Sequence, residues 1–245
     1  MSDSLVIIPT YKEKDNIERI IRKVYSLIKD FDILIIEDNS PDGTADIVRS
    51  LIPEFPDRLF MEERKGKLGL GTAYIHGFRW ALAHGYEFIF EMDADFSHNP
   101  DDLIRLYDAA KNKGADVAIG SRYITGVNVV NWPMGRVLMS YYASAYVRFV
   151  TGMKIRDTTA GFKCYTSKVL NCIRLDKIRF TGYAFQIEMK FTAWKLGFNI
   201  VEVPIIFTDR TVGESKMSKG IFKEAIFGVI SLRWRSLFIK YKRQA

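Results

Sequence analysis

Short apolar runs alternate in this chain with segments whose apolar residues recur at helical spacing, and a polar cluster follows most of the runs. The runs are apolar throughout rather than at every second position, which is typical of strands buried on both faces of a parallel sheet. Helices between successive strands would cover those two faces. The pattern therefore predicts an α/β fold with a mostly parallel sheet and helices on both faces. The predicted strands are Leu5 to Ile8, Ile33 to Ile36, Leu59 to Met61, Phe88 to Met92 and Val117 to Ile119.

The second half of the chain is less regular. We expect helices over 135–150 and 182–196, and a strand near 200–203. Residues 221–230 carry an apolar stripe, and a run that interleaves basic and aromatic residues follows it. This combination predicts an amphipathic helical segment at the end of the chain, which could bind a lipid surface or a nucleic acid.

Composition narrows the class of protein. The 245 residues suit one large domain, and 48% hydrophobic with 27% charged residues excludes a disordered chain. Lys and Arg number 36 against 29 Asp and Glu, a net charge of +7, which favours an anionic partner such as nucleic acid, lipid head groups or a phosphorylated substrate. The two cysteines suggest reduced thiols of a cytosolic protein. We expect no membrane-spanning helix, because the longest suitable uncharged stretch, 137–147, is too short.

The polar clusters share one position, the carboxyl end of a predicted strand. In parallel α/β sheets, ligands bind just beyond these ends. We therefore expect one binding site at this edge of the sheet. It would be built from Thr10 to Glu13, Glu37 to Asp42, Asp93 to Ser97 and Ser121-Arg122.

The acids of this edge predict contacts with a nucleotide and a metal ion. In Asp93-Ala94-Asp95, one carboxylate could face a nucleotide while the other binds a divalent ion whose shell is completed by phosphate oxygens and water. Glu13 and Asp38 could accept hydrogen bonds from ribose hydroxyls or from the N–H edge of a base. The alternative is that these are ordinary acids of solvated turns.

Basic residues of the second half could bind phosphate. Arg122 follows a strand, Arg136 begins a helix, and Arg210 and Lys216 lie on a loop with Gly213. Two phosphate groups in one site would need about this many cations, and a guanidinium matches phosphate oxygens with two hydrogen bonds. Solvated surface charge is the alternative interpretation.

The glycine-rich stretch Gly66–Thr72 is neither a Walker loop nor a dinucleotide fingerprint. It lacks a Gly-Lys-Ser/Thr ending, and Tyr74 stands where the third glycine of the fingerprint would be. We predict a flexible loop before a helix.

Taken together, six motifs in unbroken order resemble the dolichyl-phosphate (polyprenyl-phosphate) mannosyltransferases, in their compact type without transmembrane helices. That family consists of inverting glycosyltransferases of the Rossmann-like GT-A fold, and the resemblance runs over nearly the whole chain. The motifs are Pro9-Thr10-Tyr11-x-Glu13, Glu37 to Thr44, Gly69-Leu70-Gly71-Thr72-Ala73-Tyr74, Asp93 to His98, Gly120-Ser121-Arg122-Tyr123 and Asp209-Arg210-x-x-Gly213-Glu214-Ser215-Lys216.

The resemblance implies roles for individual residues. The metal, Mg²⁺ or Mn²⁺, is expected at Asp95 with Ser97 as a helper, and Arg122 and Arg136 are expected to orient the acceptor phosphate. The expected catalytic residues are Asp93, Asp95, Arg122 and Arg136. The donor-binding residues implied by position are Pro9, Tyr11, Glu13, Ile36, Asp38, Asp93, Ala94, Asp95, Arg122, Arg210 and Lys216.

The activity that the resemblance implies is transfer of mannose from GDP-mannose to a polyprenyl monophosphate. A UDP-glucose-dependent enzyme of the same fold and a non-catalytic nucleotide-sugar-binding protein are the alternatives. Transfer to a hydroxyl group would need a carboxylate base that we cannot place. Nucleic acid is not expected as a partner, because acids crowd the strand ends.

The expected organisation is a catalytic GT-A domain over 1–208 and an appendage over 209–245. The appendage would consist of a mobile basic loop and an amphipathic helix near a membrane. We expect a peripheral protein on the cytoplasmic face, which binds the membrane directly or through a membrane subunit.

Overall fold

The computed structural model describes residues 2–209 and 220–243. Its main sheet has seven strands in the order β3-β2-β1-β4-β7-β5-β8. Two further short strands, β6 and β9, pair with each other. The strands are β1 (Ser4–Thr10), β2 (Asp32–Glu37), β3 (Leu59–Glu63), β4 (Phe88–Glu91), β5 (Val117–Ser121), β6 (Val129–Val130), β7 (Lys163–Thr166), β8 (Ile200–Pro204) and β9 (Phe207–Thr208).

The predicted mostly parallel sheet is confirmed. Strand β1 pairs in parallel with both β2 and β4, β2 pairs with β3, and β5 pairs with β8. Strand β7, which we did not predict, lies between β4 and β5 and is antiparallel to both. It has only four residues and opens on a lysine, so its sequence carries no recognisable strand pattern.

Helices cover both faces of the sheet, as expected. They are α1 (Ile17–Tyr25), α2 (Thr44–Leu51), α3 (Leu70–Ala83), α4 (Asp102–Lys111), α5 (Met134–Thr151), α6 (Ser167–Cys172), α7 (Ala184–Lys195) and α8 (Gly220–Arg235). Apolar residues recur at helical spacing from Ile17 to Ile28, which predicts a helix over that range, but α1 ends at Tyr25. It ends where the hydroxyl of Ser26 donates to the carbonyl of Lys23 at 2.7 Å, and Ile28 is left 95% exposed.

Two apolar cores lie on the opposite faces of the sheet. Ile7 and Leu34 belong to the core under α3 and α7, whereas Val6 and Ile33 belong to the core under α1 and α4. Successive side chains of a strand point to opposite faces, so a strand buried on both faces must be apolar at every position. This explains why the continuous runs in the sequence identified the strands.

The predicted loop before a helix is present, since residues 64–69 precede α3, but the end of the glycine-rich stretch packs closely. The backbone N–H of Gly71 donates to the carbonyl of Thr181 at 2.8 Å. A Cβ at Gly71 would lie 2.8 Å from both the carbonyl oxygen of Phe180 and the ring of Phe185. Glycine is therefore required at this position by the close approach of two chain segments.

Helix α8 is the predicted C-terminal amphipathic helix. It packs against α5 and α7, and its Val229 and Leu232 are buried in the core. The basic loop with Arg210 and Lys216 lies outside the described residues. Within the ranges that the structure describes, no helix combines the length and the apolar character needed to cross a membrane.

We predict that Gly71→Ala lowers the free energy of unfolding by about 1–3 kcal/mol, because the added methyl group forces a tightly packed region apart. Gly66→Ala, in the same stretch, is the matched control, since a Cβ there would meet nothing within 4 Å. Urea unfolding of both variants checks this. Equal stability of the two variants would contradict the packing role of Gly71.

Candidate active site

The loops after three neighbouring strands each hold one non-glycine residue in the left-handed region. Lys12 follows β1 with φ 56°, Asn39 follows β2 with φ 55°, and Phe96 follows β4 with φ 59°. This conformation is uncommon for residues other than glycine, and such strain is found most often at functional sites. The backbone thus indicates the same edge of the sheet as the polar clusters did.

The turn after β4 brings the side-chain oxygen atoms of two aspartates and a serine close together. The backbone N–H of Ser97 donates to a carboxylate oxygen of Asp95 at 3.0 Å, and Phe96 between them supplies the tight bend. Asp95 is 7% exposed, whereas the side chain of Asp93 is 40% exposed. The hydroxyl of Ser97 is buried and has no hydrogen-bond partner among the described residues.

These residues fit a divalent cation of the magnesium or manganese type. In the described part of the chain, no group of three or more His, Cys, Asp and Glu side chains could hold a metal ion alone. Mg²⁺ is typically held by one or two carboxylates together with substrate phosphates and water, and Mn²⁺ also favours oxygen ligands. The buried, unpartnered hydroxyl of Ser97 beside Asp95 is the oxygen that such an ion would satisfy.

His98 holds the same turn from behind. Its ring stacks on Phe162 with ring centres 4.9 Å apart, and its Nδ1 accepts a hydrogen bond from the backbone N–H of Asp93 at 3.5 Å. Burial lowers the pKa of His98 to about 4, although the charge of Asp95 works in the opposite direction. The imidazole is therefore neutral near pH 7, as its acceptor role requires.

Arg122 is held in a buried ion pair. Its Nε and Nη2 donate to the two carboxylate oxygens of Asp157 at 2.7 Å each, and Nη2 also donates to the hydroxyl of Thr159 at 2.8 Å. Burial opposes both charges, but their mutual attraction wins: the pKa of Asp157 falls below its ordinary value and that of Arg122 rises. Most of the positive charge of Arg122 is thus balanced inside the protein.

Arg136 is more accessible than Arg122. Its side chain is 30% exposed, and its Nη1 lies 2.9 Å from both carboxylate oxygens of Asp209. The guanidinium carbon lies 4.1 Å from the ring centre of Trp132, and the same ring lies 5.6 Å from the guanidinium carbon of Arg122. The ring of Trp132 therefore lies beside both arginines.

One cavity of about 190 Å³ joins the acids and the arginines. Of the residues predicted for the site, Asp93, Asp95, Ser97, Arg122 and Arg136 line it. Its opposite wall is apolar and is formed by α5, α7 and the start of α3. That wall includes Leu70, Met139, Ala143 and Ile187.

The other predicted donor-binding residues that the structure describes do not line this cavity. They lie in the last residues of β1 and β2 or in the loops that follow β1, β2 and β4. Ile36 and Ala94 have buried side chains, which belong to the sheet and its core. Asp38 is held by Arg64, whose Nε and Nη2 donate to its two oxygens at 2.6 and 2.7 Å. Pro9, Tyr11 and Glu13 follow one another along the end of β1, and Arg210 and Lys216 lie outside the described residues.

A buried polar cluster behind the cavity was absent from the sequence prediction. Lys163 of β7 is fully buried, and its Nζ lies 2.8 Å from a carboxylate oxygen of Glu91 at the end of β4. Gln186, which lines the cavity, donates to the same oxygen at 2.7 Å and accepts from Lys163. The sequence signal for this cluster was Lys163, a charged residue within the otherwise uncharged stretch 162–165.

The chain belongs to glycosyl transferase family 2, whose sequence profile matches residues 5–174. It is therefore a glycosyltransferase. It is 46% identical over 226 residues to polyprenol monophosphomannose synthase of Mycolicibacterium smegmatis, covering 92% of this chain and 85% of the relative. It is 43% identical over 237 residues to undecaprenyl-phosphate mannosyltransferase of Micrococcus luteus, covering 95% and 96% of the two chains. The family expected from the motifs is confirmed.

Solved structures share the fold. Glucosyl-3-phosphoglycerate synthase from Mycobacterium tuberculosis, in complex with Mn²⁺, UDP and glucosyl-3-phosphoglycerate, superposes with a TM-score of 0.66 at 16% identity, over 96% of this chain and 80% of that one. The mannosyltransferase PcManGT from Pyrobaculum calidifontis, in complex with GDP-Man and Mn²⁺, gives a TM-score of 0.62 at 16% identity, over 96% and 64% of the two chains. At this identity the likeness establishes the GT-A-type α/β fold.

We predict that Asp157→Asn lowers the free energy of unfolding at pH 7 by about 3 kcal/mol, because it leaves Arg122 buried without a charged partner. The pKa of Asp157 is lowered in the folded state, so its stabilisation is present above the ordinary value of 3.8 and is lost as pH falls through the folded value. The difference between wild type and variant should therefore shrink below about pH 4.

Urea unfolding at a series of pH values measures this difference. Asp46→Asn is the matched control, because Asp46 forms an exposed ion pair with Arg49. That control should change stability by less than about 0.5 kcal/mol. A stability difference for Asp157→Asn that does not vary with pH would rule out the lowered pKa as its source.

Proposed function

We propose that this chain transfers mannose from GDP-mannose to a polyprenyl monophosphate, with inversion at the anomeric carbon. The similarity to two named lipid-phosphate mannosyltransferases supports the proposal. The observation that carries it is the composition of the cavity. An acid turn, two arginines and an apolar wall face one space, as a sugar diphosphate and a lipid phosphate together require.

The donor would bind across the ends of β1, β2 and β4. Pro9, Tyr11, Glu13, Ile36 and Asp38 would form the nucleoside end, and Asp93, Ala94 and Asp95 the diphosphate end. Asp95 and Ser97 would hold Mg²⁺ or Mn²⁺, which supplies positive charge to the departing diphosphate when bound. Arg210 and Lys216 belong to this proposal by their sequence positions alone.

The acceptor phosphate would bind at Arg122 and Arg136. A phosphomonoester has its second pKa near about 6, so it is mostly dianionic at pH 7 and needs no carboxylate base to attack the sugar. Both arginines already have a carboxylate partner, Asp157 for Arg122 and Asp209 for Arg136. Because the pair of Arg136 is the more exposed, Arg136 would exchange its partner for the phosphate more readily, and Arg122 would supply orientation. Trp132 would keep the two guanidinium groups at a fixed spacing.

The prenyl chain would leave the cavity along its apolar wall. Met139 of that wall is itself 42% exposed, and further along α5 the side chain of Phe149 is 90% exposed. The outer side of α8 continues this apolar face with Phe227, Ile230 and Trp234. Exposed apolar side chains on two helices, with basic residues near the chain end, fit a lipid surface.

We therefore place the enzyme at the cytoplasmic face of a membrane as a peripheral protein, held directly or through a membrane subunit on the same face. In this arrangement residues 1–208 form the catalytic domain. Residues 209–245 form the appendage that keeps the cavity close to the bilayer.

The central test is transfer of labelled mannose from GDP-mannose to a short prenyl phosphate with Mg²⁺ or Mn²⁺. We expect Asp95→Ala to lower kcat by at least about 100-fold, because the leaving diphosphate loses its charge stabilisation. Arg136→Ala should raise the KM for the acceptor about tenfold or more and leave the KM for the donor unchanged.

Two control variants and a comparison of two sugar nucleotides complete this test. Asp101→Ala removes an exposed ion pair with Lys23, and Arg148→Ala removes an exposed hydrogen bond to the carbonyl of Arg156. Neither residue lines the cavity, so both variants should transfer mannose at the wild-type rate. Transfer from UDP-glucose but not from GDP-mannose would favour the glucosyltransferase alternative. Donor binding without turnover would favour a nucleotide-sugar-binding protein, and undiminished transfer by Asp95→Ala would remove the metal role.

We predict that replacing Phe227 and Trp234 by serine weakens binding to vesicles that contain anionic lipid by about tenfold or more, because two exposed aromatic side chains leave the lipid interface. Ile28→Ser is the control, because Ile28 is an apolar residue that is 95% exposed and follows α1, on the face of the sheet opposite to α8. Vesicle sedimentation measures the effect. Equal loss in control and variant would show that α8 is not the lipid-binding face.

A further inference from the structure

We propose that Arg64 is a positioning residue for the donor nucleotide, which it serves by holding the carboxylate of Asp38 in one orientation. Arg64 follows β3 and belongs to none of the motifs singled out in the sequence. The inference rests on the proposed function in one respect, the role of Asp38 at the nucleoside end of the donor.

The contact between the two side chains is a planar two-point ion pair. Nε of Arg64 donates to one carboxylate oxygen of Asp38 at 2.6 Å, and Nη2 donates to the other at 2.7 Å. Both side chains are only 8% exposed. A guanidinium matches a carboxylate in this geometry and charge-assisted bonds of this kind are strong, so Asp38 has one well-defined orientation.

The remaining donors of Arg64 bind the glycine-rich stretch. Nη1 donates to the hydroxyl of Thr72 at 2.8 Å, and Nη2 reaches the carbonyl of Gly69 at 3.4 Å. The backbone N–H of Arg64 also donates to the carbonyl of Glu37 at 2.8 Å. One guanidinium therefore joins the end of β2, the end of β3 and the start of α3.

The glycine-rich stretch is itself anchored, so it forms a firm backing for Arg64. The hydroxyl of Thr72 donates within the stretch, to the carbonyl of Gly69 at 2.8 Å. Gly71 is bound to the carbonyl of Thr181, as described above. This accounts for a motif to which the donor and acceptor roles assign no function.

The pair leaves Asp38 able to bind a ligand. Each carboxylate oxygen has two lone pairs, and Arg64 uses one direction on each oxygen. The other directions can accept from an N–H of a base or from a ribose hydroxyl. A carboxylate that is already oriented loses less conformational freedom on binding, so the donor binds more tightly.

The test compares Arg64→Lys and Thr72→Val with Arg49→Ala in the full chain. Arg64→Lys keeps the charge but loses the two-point geometry, and Thr72→Val removes only the hydroxyl that steadies Arg64. Arg49 is the matched control, because it pairs with Glu63, next to Arg64, at the surface. We measure the Kd for GDP and for UDP, KM for donor and acceptor, kcat and Tm.

We expect Arg64→Lys to raise the donor KM and the nucleotide Kd by roughly tenfold or more, and Thr72→Val by a smaller factor of about three. The acceptor KM and kcat should stay within about twofold of wild type, and Arg49→Ala should match wild type throughout. Thr72→Val is a mild change and decides the question if Arg64→Lys does not fold.

A purely structural role predicts something else: a lower Tm and fewer active molecules, with the donor KM and nucleotide Kd unchanged. That result would overturn the inference. Wild type that binds GDP without transferring mannose would contradict the proposed function, while the nucleotide Kd values of the variants would still decide the role of Arg64. Wild type that binds neither nucleotide would overturn both.

Discussion

The parallel pairing of β1 with both β2 and β4 is the constraint on which the site depends. It places the carboxyl ends of three strands side by side, so Tyr11, Asp38 and Asp93 follow neighbouring strands although long stretches of chain separate them. Each of these strands leads into a loop with one non-glycine residue in the left-handed region, where the chain turns sharply. In the proposed function, a nucleotide lying across these carboxyl ends would meet all three loops.

Three pairs of oppositely charged side chains are buried or nearly buried behind this edge. Asp157 balances Arg122, Glu91 balances Lys163, and Arg64 balances Asp38. A buried ion pair contributes little net stability, yet removing one partner is costly because the other charge remains buried. Such pairs therefore define geometry more than they add stability. Of these six residues only Arg122 lines the cavity, where its ion pair orients the guanidinium before any ligand arrives, as stabilisation of developing charge requires.

The apolar side of the cavity connects the chemistry to the surface. Helix α5 contributes Arg136 in its first turn and Met139 and Ala143 one and two turns later, so one helix contacts both the phosphate region and the apolar wall. Helix α8 packs on α5 and also carries exposed apolar side chains. A lipid phosphate could thus keep its tail at a membrane while its head group reaches the arginines, without a long channel through the protein.

The sequence by itself determined the parallel strands, most of the helices and the acid turn, because periodicity and strand-end position are local properties of the chain. The motif resemblance also identified the family. The antiparallel strand β7, the partner of Arg122 and the contacts of Arg64 were decided only by the tertiary structure. Asp157 lies 35 residues from Arg122, and Arg64 lies 26 residues from Asp38. No local pattern encodes such pairs, since they form only when the sheet brings distant strand ends together and burial makes each charge require a partner.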